Sequence, residues 1–263
     1  MHVLEALERF APLPLQESWD NAGLQIGLTE AEVSGALLCL DVTERVVDEA
    51  ARRGCNLVVS HHPLLFRGLK QVSDLNDVQR TVRRALKEDI AVVSMHTNLD
   101  NAHEGVNWQI AKRLCPSGSA EKDGAAVIEE MGPDGKPGQW VMLTLAEPME
   151  ARQFVEHVKT RLQAQSAMCN ELLQRPIRRV AICGGAGDFL LDEVIAKGAD
   201  AFLTGEMHYH QYFGHEQQIQ LCVVGHYESE HSTKELLRDI IERECPGVNC
   251  LLCETDTNPI KYL

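Results

Sequence analysis

The sequence has no apolar run long enough to cross a membrane, since a transmembrane helix needs about 20 consecutive apolar residues. Its first residues, Met1-His2-Val3-Leu4-Glu5, lack the basic stretch and the apolar run of a secretory signal peptide. We therefore expect no membrane partner and a cytoplasmic location. The 263 residues, 44% of them hydrophobic, are enough for one large globular domain or two small ones.

Positively charged residues are also scarce. Lys and Arg number 25 against 39 Asp and Glu, which gives a formal net charge of −14. The basic residues form scattered pairs such as Arg52-Arg53 and Arg178-Arg179 rather than a patch. Binding to a phosphate backbone usually requires many clustered positive contacts, so the composition argues against a nucleic-acid-binding protein. Bound metal ions would offset part of the negative charge and attract an anionic substrate locally.

The nine cysteines lack the pattern of a disulfide framework or a zinc ribbon. Their number is odd and no secretion signal is recognisable, so reduced thiols are expected. Cys250 and Cys253 form a C-x-x-C motif, but no second ligand pair has a spacing that would complete a zinc site. Because Leu251 and Leu252 between them are typical of a buried strand, we interpret both thiols as inert and buried.

Short apolar runs alternate with stretches of helical spacing along most of the chain. Strands are predicted at residues 36–40, 56–60, 90–95, 179–183, 200–204, 219–224 and 248–253. Helices are predicted at residues 43–53, 78–87, 189–197 and 233–244. This alternation is typical of an α/β protein whose sheets are covered by helices.

A weak internal similarity indicates that the chain is pseudo-duplicated. Residues 51–62 resemble residues 196–207 with a shift of one position. In both segments a helix ends at a glycine, a short strand follows, and a polar residue of ligand type comes directly after the strand. The segment 131–139, which is rich in Gly and Pro, is predicted to be a turn or a linker.

Histidines come directly after several of the predicted strands. His61 and His62 follow the strand that ends at Ser60, and open α/β sheets bind ligands at the carboxyl ends of their strands. Neighbouring residues point in different directions, so two adjacent histidines suit two metal ions better than one. Taken alone, the pair is equally consistent with polar residues of a turn.

A second group, His96-Thr97-Asn98-Leu99-Asp100, follows another predicted strand. Imidazole and carboxylate are the usual ligands of divalent metals in hydrolytic sites, which makes His96 and Asp100 candidates. The alternative interpretation of Asn98 and Asp100 is that they form a turn.

A third group contains His226 and Glu230, after the strand that ends at Val224. If a helix begins here, residues four apart share one face and can share a metal site. Glu228 and Glu230 would alternatively complement the positive end of that helix, but this explains the glutamates and not the histidine. Three strand ends that each supply a histidine are poorly explained by chance.

Two further segments keep more than one interpretation. Glu206, His208 and His210 follow a fourth strand, where they could support the ligands, form a second cluster or contact another subunit. The glycine-rich loop 183–188 joins a strand to a helix, as anion-binding loops do. We interpret it as a tight turn, because Asp188 places a negative charge where a phosphate would bind.

Taken together, these residues resemble a known family. The motifs that carry the resemblance occur in the same order over nearly the whole chain: Ser18-Trp19-Asp20-Asn21-Ala22-Gly23-Leu24, Ser60-His61-His62-Pro63-Leu64, His96-Thr97-Asn98-Leu99-Asp100, Cys183-Gly184-Gly185-Ala186-Gly187, Leu203-Thr204-Gly205-Glu206 and Gly225-His226-Tyr227. They are similar to motifs of the Nif-three-like proteins, which are often described as GTP cyclohydrolase 1 type 2 homologues with a dinuclear metal centre.

The resemblance implies five metal ligands: His61, His62, Asp100, His226 and Glu230. It also implies two interlinked α/β subdomains, for which we expect residues 1–124 plus 222–263 and residues 125–221, and a toroidal homohexamer. By the same resemblance, 263 residues are similar in length to the short form of the family, which lacks an inserted domain. Apart from the resemblance, Trp19 is interpreted as a core residue and Asp20 and Asn21 as turn residues.

A metal-dependent hydrolase is the function expected of such a site. Two divalent ions (Zn, Mn, Fe or Co) would lower the pKa of a water molecule from about 15.7 towards 7 and activate it for attack on a nucleotide or related small molecule. Glu230, as a shared ligand, and His96, as a proton shuttle or substrate-orienting group, are the predicted catalytic residues. The alternative is a non-catalytic protein, either a metal-binding hexameric scaffold or a metal-handling protein.

Overall fold

The computed structural model describes residues 3–28, 30–115, 126–132 and 138–263. Most of the linker predicted at 131–139, namely residues 133–137, lies outside the described residues. The chain divides into two compact units, which are Met1–Ala102 with His231–Pro259 and His103–Glu230 with Ile260–Leu263. Among the helices that the structure describes, none combines the length and the apolar character needed to cross a bilayer.

The first unit contains a five-stranded sheet within the described residues. Its strands are β1 (Gly23–Ile26), β2 (Ala36–Cys39), β3 (Leu57–Ser60), β4 (Ala91–Ser94) and β11 (Cys250–Leu252), in the spatial order β1-β4-β3-β2-β11. The edge strand β1 is antiparallel to β4, and the other neighbours are parallel. β2 and β3 are buried along their whole length, as expected of strands covered by helices on both faces.

The helices of the first unit are α1 (Val3–Phe10), α2 (Glu44–Arg52), α3 (Asp77–Lys87), α4 (Thr97–Asp100) and α9 (Thr233–Glu244). Side chains that precede α2 and α3 cap their first turns. The Thr43 hydroxyl accepts a hydrogen bond from the Val46 amide at 3.3 Å, and the Asn76 side chain accepts one from the Gln79 amide at 2.9 Å. These bonds satisfy amides that have no partner within the helix, so they fix where each helix begins.

The second unit contains a six-stranded sheet within the described residues. Its strands are β5 (Val127–Glu130), β6 (Val141–Met149), β7 (Met168–Cys169), β8 (Ile177–Cys183), β9 (Ala201–Thr204) and β10 (Gln220–Val223), in the spatial order β5-β6-β8-β9-β10-β7. The central strands β8, β9 and β10 are parallel, whereas β5, β6 and β7 pair antiparallel with their neighbours.

The helices of the second unit are α5 (Val106–Leu114), α6 (Ala151–Leu162), α7 (Leu191–Ala196) and α8 (His226–Glu230). Buried Trp140 and Phe202 are large members of a core cluster that includes residues of β6, β8, β9 and α7. The Trp140 indole donates a hydrogen bond to Glu193 at 3.1 Å, so its polar atom is satisfied inside the core.

The predicted α/β fold is confirmed, and each unit is built from two separate stretches of the chain. The bounds of the units differ from the expected 1–124 plus 222–263 and 125–221. Helix α5 was expected in the first subdomain, but it packs on α6, β6 and β8 and therefore lies in the second unit. The helix that begins at His226 also lies in the second unit, and the chain returns to the first unit at His231.

The internal similarity between residues 51–62 and 196–207 corresponds to the same backbone turn in both units. After α2 the chain passes through Gly54 at φ 73°, and after α7 it passes through Gly198 at φ 75°. The next amides, those of Cys55 and Ala199, donate back to carbonyls of their helices at 2.9 and 3.1 Å. Positive φ at the end of a helix favours glycine, which explains why both segments carry it.

Candidate metal centre

His61 and His62 lie directly beyond the carboxyl end of β3, as predicted. Their amides continue the parallel ladder, since His61 donates to the carbonyl of Cys39 at 3.3 Å and His62 donates to that of Leu40 at 2.9 Å. The Ser60 hydroxyl donates to the His62 carbonyl at 2.8 Å. The backbone of this histidine pair is therefore held by the sheet rather than by a free loop.

His61 is completely buried, with 0% of its surface exposed. Its Nδ1 lies 2.8 Å from the carbonyl oxygen of Met95. A carbonyl only accepts, so Nδ1 donates and in the neutral ring the lone pair lies on Nε2. That Nε2 is 3.6 Å from Oδ1 of Asp100, a residue of the short helix α4. The structure thus brings together the predicted ligands His61 and Asp100.

His62 is oriented by a carboxylate that the sequence analysis missed. Its Nδ1 lies 2.7 Å from Oδ1 of Asp41, and the second oxygen of Asp41 accepts a hydrogen bond from the Thr257 hydroxyl at 2.8 Å. Asp41 follows the predicted strand 36–40 directly. The rule that identified His61 and His62, a polar residue straight after a strand, would have identified Asp41 as well.

His96 completes a histidine cluster in the first unit. Its ring centroid is 5.3 Å from that of His61 and 5.5 Å from that of His62. One nitrogen from each of the three rings lies within 4.8 Å of the other two, so this group can hold a metal ion. His96 was predicted to act on a proton or on the substrate, and its position makes it a candidate ligand too.

Asp20 orients His96 from a distant part of the chain. Its Oδ1 lies 2.7 Å from Nδ1 of His96, and its Oδ2 accepts from the amide and the hydroxyl of Thr97 at 3.1 and 2.5 Å. Burial raises the pKa of Asp20, but the hydrogen bonds from His96 and Thr97 and the charge of His96 outweigh it and lower the pKa to about 2. Asp20 is therefore ionised near neutral pH and accepts hydrogen bonds from His96 and Thr97. This role goes beyond that of the turn residue expected at this position.

The expectation that Trp19 is a core residue is wrong. Its surface is 59% exposed, and its ring meets that of Phe66 edge to face at 5.9 Å. Both rings also approach His96, at 6.2 and 6.3 Å between centroids. Trp19 lies in the loop before β1, where the neighbouring Asp20 is bound to His96, so its position follows from that contact and not from burial.

His226 and Glu230 lie on one face of α8 in the second unit, as the spacing of four predicts. Nε2 of His226 is 3.1 Å from Oε2 of Glu230. Nδ1 of His226 is 2.7 Å from Oε1 of Glu206, so Glu206 orients this ring as Asp41 orients His62. Glu230 is only 3% exposed. Of the interpretations left open for Glu206, the structure favours that of a group that supports a candidate ligand, because its carboxylate contacts His226.

The glycine-rich loop after β8 is a tight turn that lets the backbone approach Glu230. Gly185 has φ 60°, and a Cβ added there would lie 2.4 Å from Oε1 of Glu230 and 3.2 Å from Nε2 of His226. The Gly185 amide donates to the Ser229 hydroxyl at 3.0 Å, which ties the loop to α8. Glycine is required here because any side chain would occupy the space of the carboxylate.

His208 and His210 do not join the ligand clusters found among the described residues. The side chain of His208 is 86% exposed, and its Nδ1 contacts Asp188. The ring of His210 packs beside Tyr209 and Phe213. Of the two cysteines expected to be buried, Cys253 is buried and Cys250 is only half-buried. Burial raises the pKa of both thiols to about 11.

The spacing of the donor atoms fits metal coordination. Two atoms bound to one zinc ion at about 2.0–2.1 Å in tetrahedral geometry lie about 3.3 Å apart. The Nε2–carboxylate distances are 3.6 Å for His61 with Asp100 and 3.1 Å for His226 with Glu230. Each pair therefore has the spacing of two ligands on one ion.

A cavity of about 590 Å³ in the second unit has His226 and Glu206 in its wall. Small-molecule sites usually measure about 300–1,000 Å³. The lining is mainly apolar, with side chains such as Met168, Met207 and Val224, and none of the described residues that line it is Lys or Arg. The cavity therefore suits an uncharged part of a substrate, such as a nucleobase, better than a phosphate group.

Comparison with known proteins identifies the family. The family model described as Duf34/NIF3 (NGG1p interacting factor 3) matches residues 1–259. A Campylobacter jejuni protein named GTP cyclohydrolase 1 type 2 homolog is 31% identical over 236 residues, which cover 89% of this chain and 88% of the relative. A Streptomyces coelicolor protein of the same name is 35% identical over 210 residues, which cover 79% and 72%. The crystal structure of a Staphylococcus aureus protein matches with a TM-score of 0.85 at 27% identity, covering 100% of this chain and 99% of that one. The chain belongs to the Duf34/NIF3 (NGG1p interacting factor 3) family.

Proposed function

We propose that the chain is a metal-dependent hydrolase that acts on a nucleotide or a related small molecule. The site would hold two divalent ions (Zn, Mn, Fe or Co) through five side chains: His61, His62, Asp100, His226 and Glu230. Three imidazoles and two carboxylates are a donor set that suits these metals. The relatives named GTP cyclohydrolase 1 type 2 homolog support a nucleotide as the substrate class.

The observation that carries the proposal is the hydrogen bond at Nδ1 of each cluster histidine. A backbone carbonyl accepts from His61, and the carboxylates of Asp41 and Glu206 accept from His62 and His226. In each neutral ring the lone pair is therefore on Nε2. Metal-binding histidines commonly have this arrangement, because the second partner fixes the ring and raises its basicity. His103 also contacts a carboxylate through Nδ1, but its side chain is 69% exposed and it serves as a control.

Bound ions would polarise the group under attack and lower the pKa of water from about 15.7 towards 7. Glu230 is proposed as a carboxylate shared by the ions, because it is buried and lies beside His226. His96 is proposed to take a proton on Nε2, since Asp20 occupies its Nδ1. The ionised Asp20 carboxylate would stabilise the imidazolium that results.

The test of the metal site is a measurement of metal content. The protein is freed of metal with a chelator, reloaded with Zn or Mn, and analysed by plasma mass spectrometry. Two ions per chain are expected, and the double variant Asp100→Ala/Glu230→Ala should retain fewer. The control His103→Ala should retain both ions. Unchanged metal content in the double variant would disprove the assigned ligands.

The test of catalysis is a screen of the reloaded protein against nucleotides and phosphoesters. Turnover should require the added ion and should be lost in the double variant. The competing proposal is a metal-binding scaffold or a metal-handling protein. Two stably bound ions without turnover on any substrate would favour the scaffold, and rapid reversible loss of metal without turnover would favour metal handling.

We further propose that the protein works in the cytoplasm as a toroidal homohexamer with no nucleic-acid partner. The hexamer rests on the likeness to the family, and the net charge of −14 argues against nucleic acid. Light scattering after size-exclusion chromatography should give six times the chain mass of 29.3 kDa. A monomeric or dimeric mass would contradict the hexamer and leave the metal proposal in place.

A further inference from the structure

Two cysteines face each other across the edge of the second sheet. Cys169 in β7 is the direct antiparallel partner of Cys222 in β10, and neither is in a disulfide. Directly opposed residues of antiparallel strands project from the same face, with Cα atoms about 4.5–5.5 Å apart. This range lies inside the roughly 4.4–6.8 Å that a disulfide spans. The backbone register therefore permits a bond between the two sulfurs.

The two thiols are in contact and differ in acidity. A hydrogen bond with the Cys222 thiol lowers the pKa of the Cys169 thiol, and the same bond, together with burial, raises the pKa of Cys222 well above its ordinary value. Cys222 is fully buried, whereas Cys169 is half-buried. Cys169 is therefore the thiol that ionises more readily and meets a solvent-borne reagent, and Cys222 is its buried partner.

Neighbouring contacts hold together the two strand segments that carry the cysteines. The Asn170 side chain donates to the Ile219 carbonyl at 2.8 Å and accepts from the Leu221 amide at 2.9 Å, so the strand segment with Cys169 is fastened to β10. Opposed Cβ atoms are about 4.5–5.5 Å apart, and a disulfide needs about 3.8 Å. The movement required is about 1 Å, and β7 is a two-residue edge strand that can make it.

We propose that Cys169 and Cys222 are a redox-active pair that closes to a disulfide on reaction with a hydroperoxide. The Cys169 thiolate attacks the peroxide, an S–O bond forms, the O–O bond breaks, and the leaving oxygen takes a proton. The Cys222 thiol then attacks the resulting sulfenic acid, the S–S bond forms, and the S–O bond breaks with release of water. With hydrogen peroxide, two thiols are oxidised by two electrons and two water molecules are produced.

The bond would fix one wall of the cavity described above. Met168 and Val223, the neighbours of the two cysteines, are themselves a register pair and both line that cavity. Successive side chains of a strand point to opposite faces, so the thiols lie behind this wall. The disulfide does not depend on the proposed metal ions, because no metal-capable group among the described residues includes a cysteine.

The experiment is peptide mapping of the whole chain after treatment with one equivalent of hydrogen peroxide in the presence of a chelator. Two of the nine thiols should be lost, a tryptic peptide with Cys169 should be linked to one with Cys222, and dithiothreitol should restore both thiols. Cys169→Ser should slow thiol loss at least tenfold. The control Cys115→Ser removes a half-buried thiol elsewhere and should react as the unaltered protein does.

The result for the unaltered protein decides the matter even if a variant folds poorly. Oxidation of Cys169 to sulfinic acid without a linked peptide would overturn the proposal, because it would mean that Cys222 cannot reach the sulfenic acid. A linkage between other cysteines, or no loss of thiols at this dose, would overturn it as well.

Discussion

Replacing Gly185 with alanine is expected to weaken metal binding by displacing Glu230. The added Cβ would lie 2.4 Å from Oε1 of Glu230, whereas ordinary van der Waals contacts begin at 3.4 Å. The carboxylate must therefore move by about 1 Å, or the loop must move by as much. Ligand distances in metal sites tolerate only about ±0.2 Å, so a bound ion would lose this ligand or distort its coordination.

The substitution is expected to lower both the free energy of unfolding and the metal affinity, and a matched control separates the two effects. Alanine in the left-handed region costs about 1–2 kcal/mol, so Gly185→Ala should lower the free energy of unfolding by that amount. Metal affinity should fall at least about tenfold, which is about 1.4 kcal/mol. Gly54 also has a positive φ, of 73°, but a Cβ there would meet no atom within 4 Å. Gly54→Ala should therefore show the loss of stability without the loss of affinity.

Two assays measure these parts. Urea unfolding of the metal-free variants gives the stability, and competition with a chromophoric chelator gives the affinity for zinc. Both variants should unfold at lower urea concentration than the unaltered protein, and only Gly185→Ala should release zinc more readily. Equal zinc affinities for the two variants would refute the reasoning that Glu230 binds an ion against this loop.

Three further substitutions test other contacts. Asp41→Ala removes the carboxylate that fixes His62 and should weaken zinc binding about 10–100-fold in the chelator assay; unchanged affinity would show that this orientation is not needed. Glu49→Gln tests the pH dependence of stability. Burial raises the pKa of Glu49, but hydrogen bonds, chiefly from the segment after β11, have the larger effect. They lower the pKa from 4.5 to about 2. The stabilisation of the folded state by the ionised carboxylate is present above about pH 4.5 and is lost as the pH falls towards 2. In urea unfolding, the free energy of unfolding of the variant should therefore be lower by at most about 3 kcal/mol at pH 7, and by less at pH 3. A loss that is the same at both pH values would contradict the assignment. Asn76→Ala removes the cap of α3 and should cost about 1 kcal/mol in the same assay, whereas a change below a few tenths would mean that water replaces the cap.

The positions of the candidate ligands could be predicted because they depend on local pattern. His61, His62 and His226 follow short apolar runs, and the ends of parallel strands are where an α/β sheet exposes side chains. The pairing of His226 with Glu230 also follows from spacing, since residues four apart meet on a helix. The helix is only five residues long, but this is enough to bring the two side chains within 3.1 Å.

The groups that orient the ligands could not be predicted in the same way. Asp20 reaches His96 across 76 positions of sequence, and Glu206 reaches His226 across 20. Such contacts depend on how loops fold over a sheet, for which a single sequence has no periodic signal. The bounds of the units differ from the expected ones for a related reason. Helix α5 packs on β6 and β8, which are distant in the sequence, and its amphipathic pattern does not specify which sheet it covers.

The anchoring of each imidazole has a consequence for the entropic cost that binding of an ion would have. A side chain that must be immobilised on binding costs about 0.5–1.5 kcal/mol in lost freedom. Four imidazole rings are already restrained in the folded protein by hydrogen bonds to Met95, Asp41, Asp20 and Glu206. For four rings this loss of freedom amounts to about 2–6 kcal/mol before any ion binds, so an ion bound here would have little side-chain rearrangement to drive.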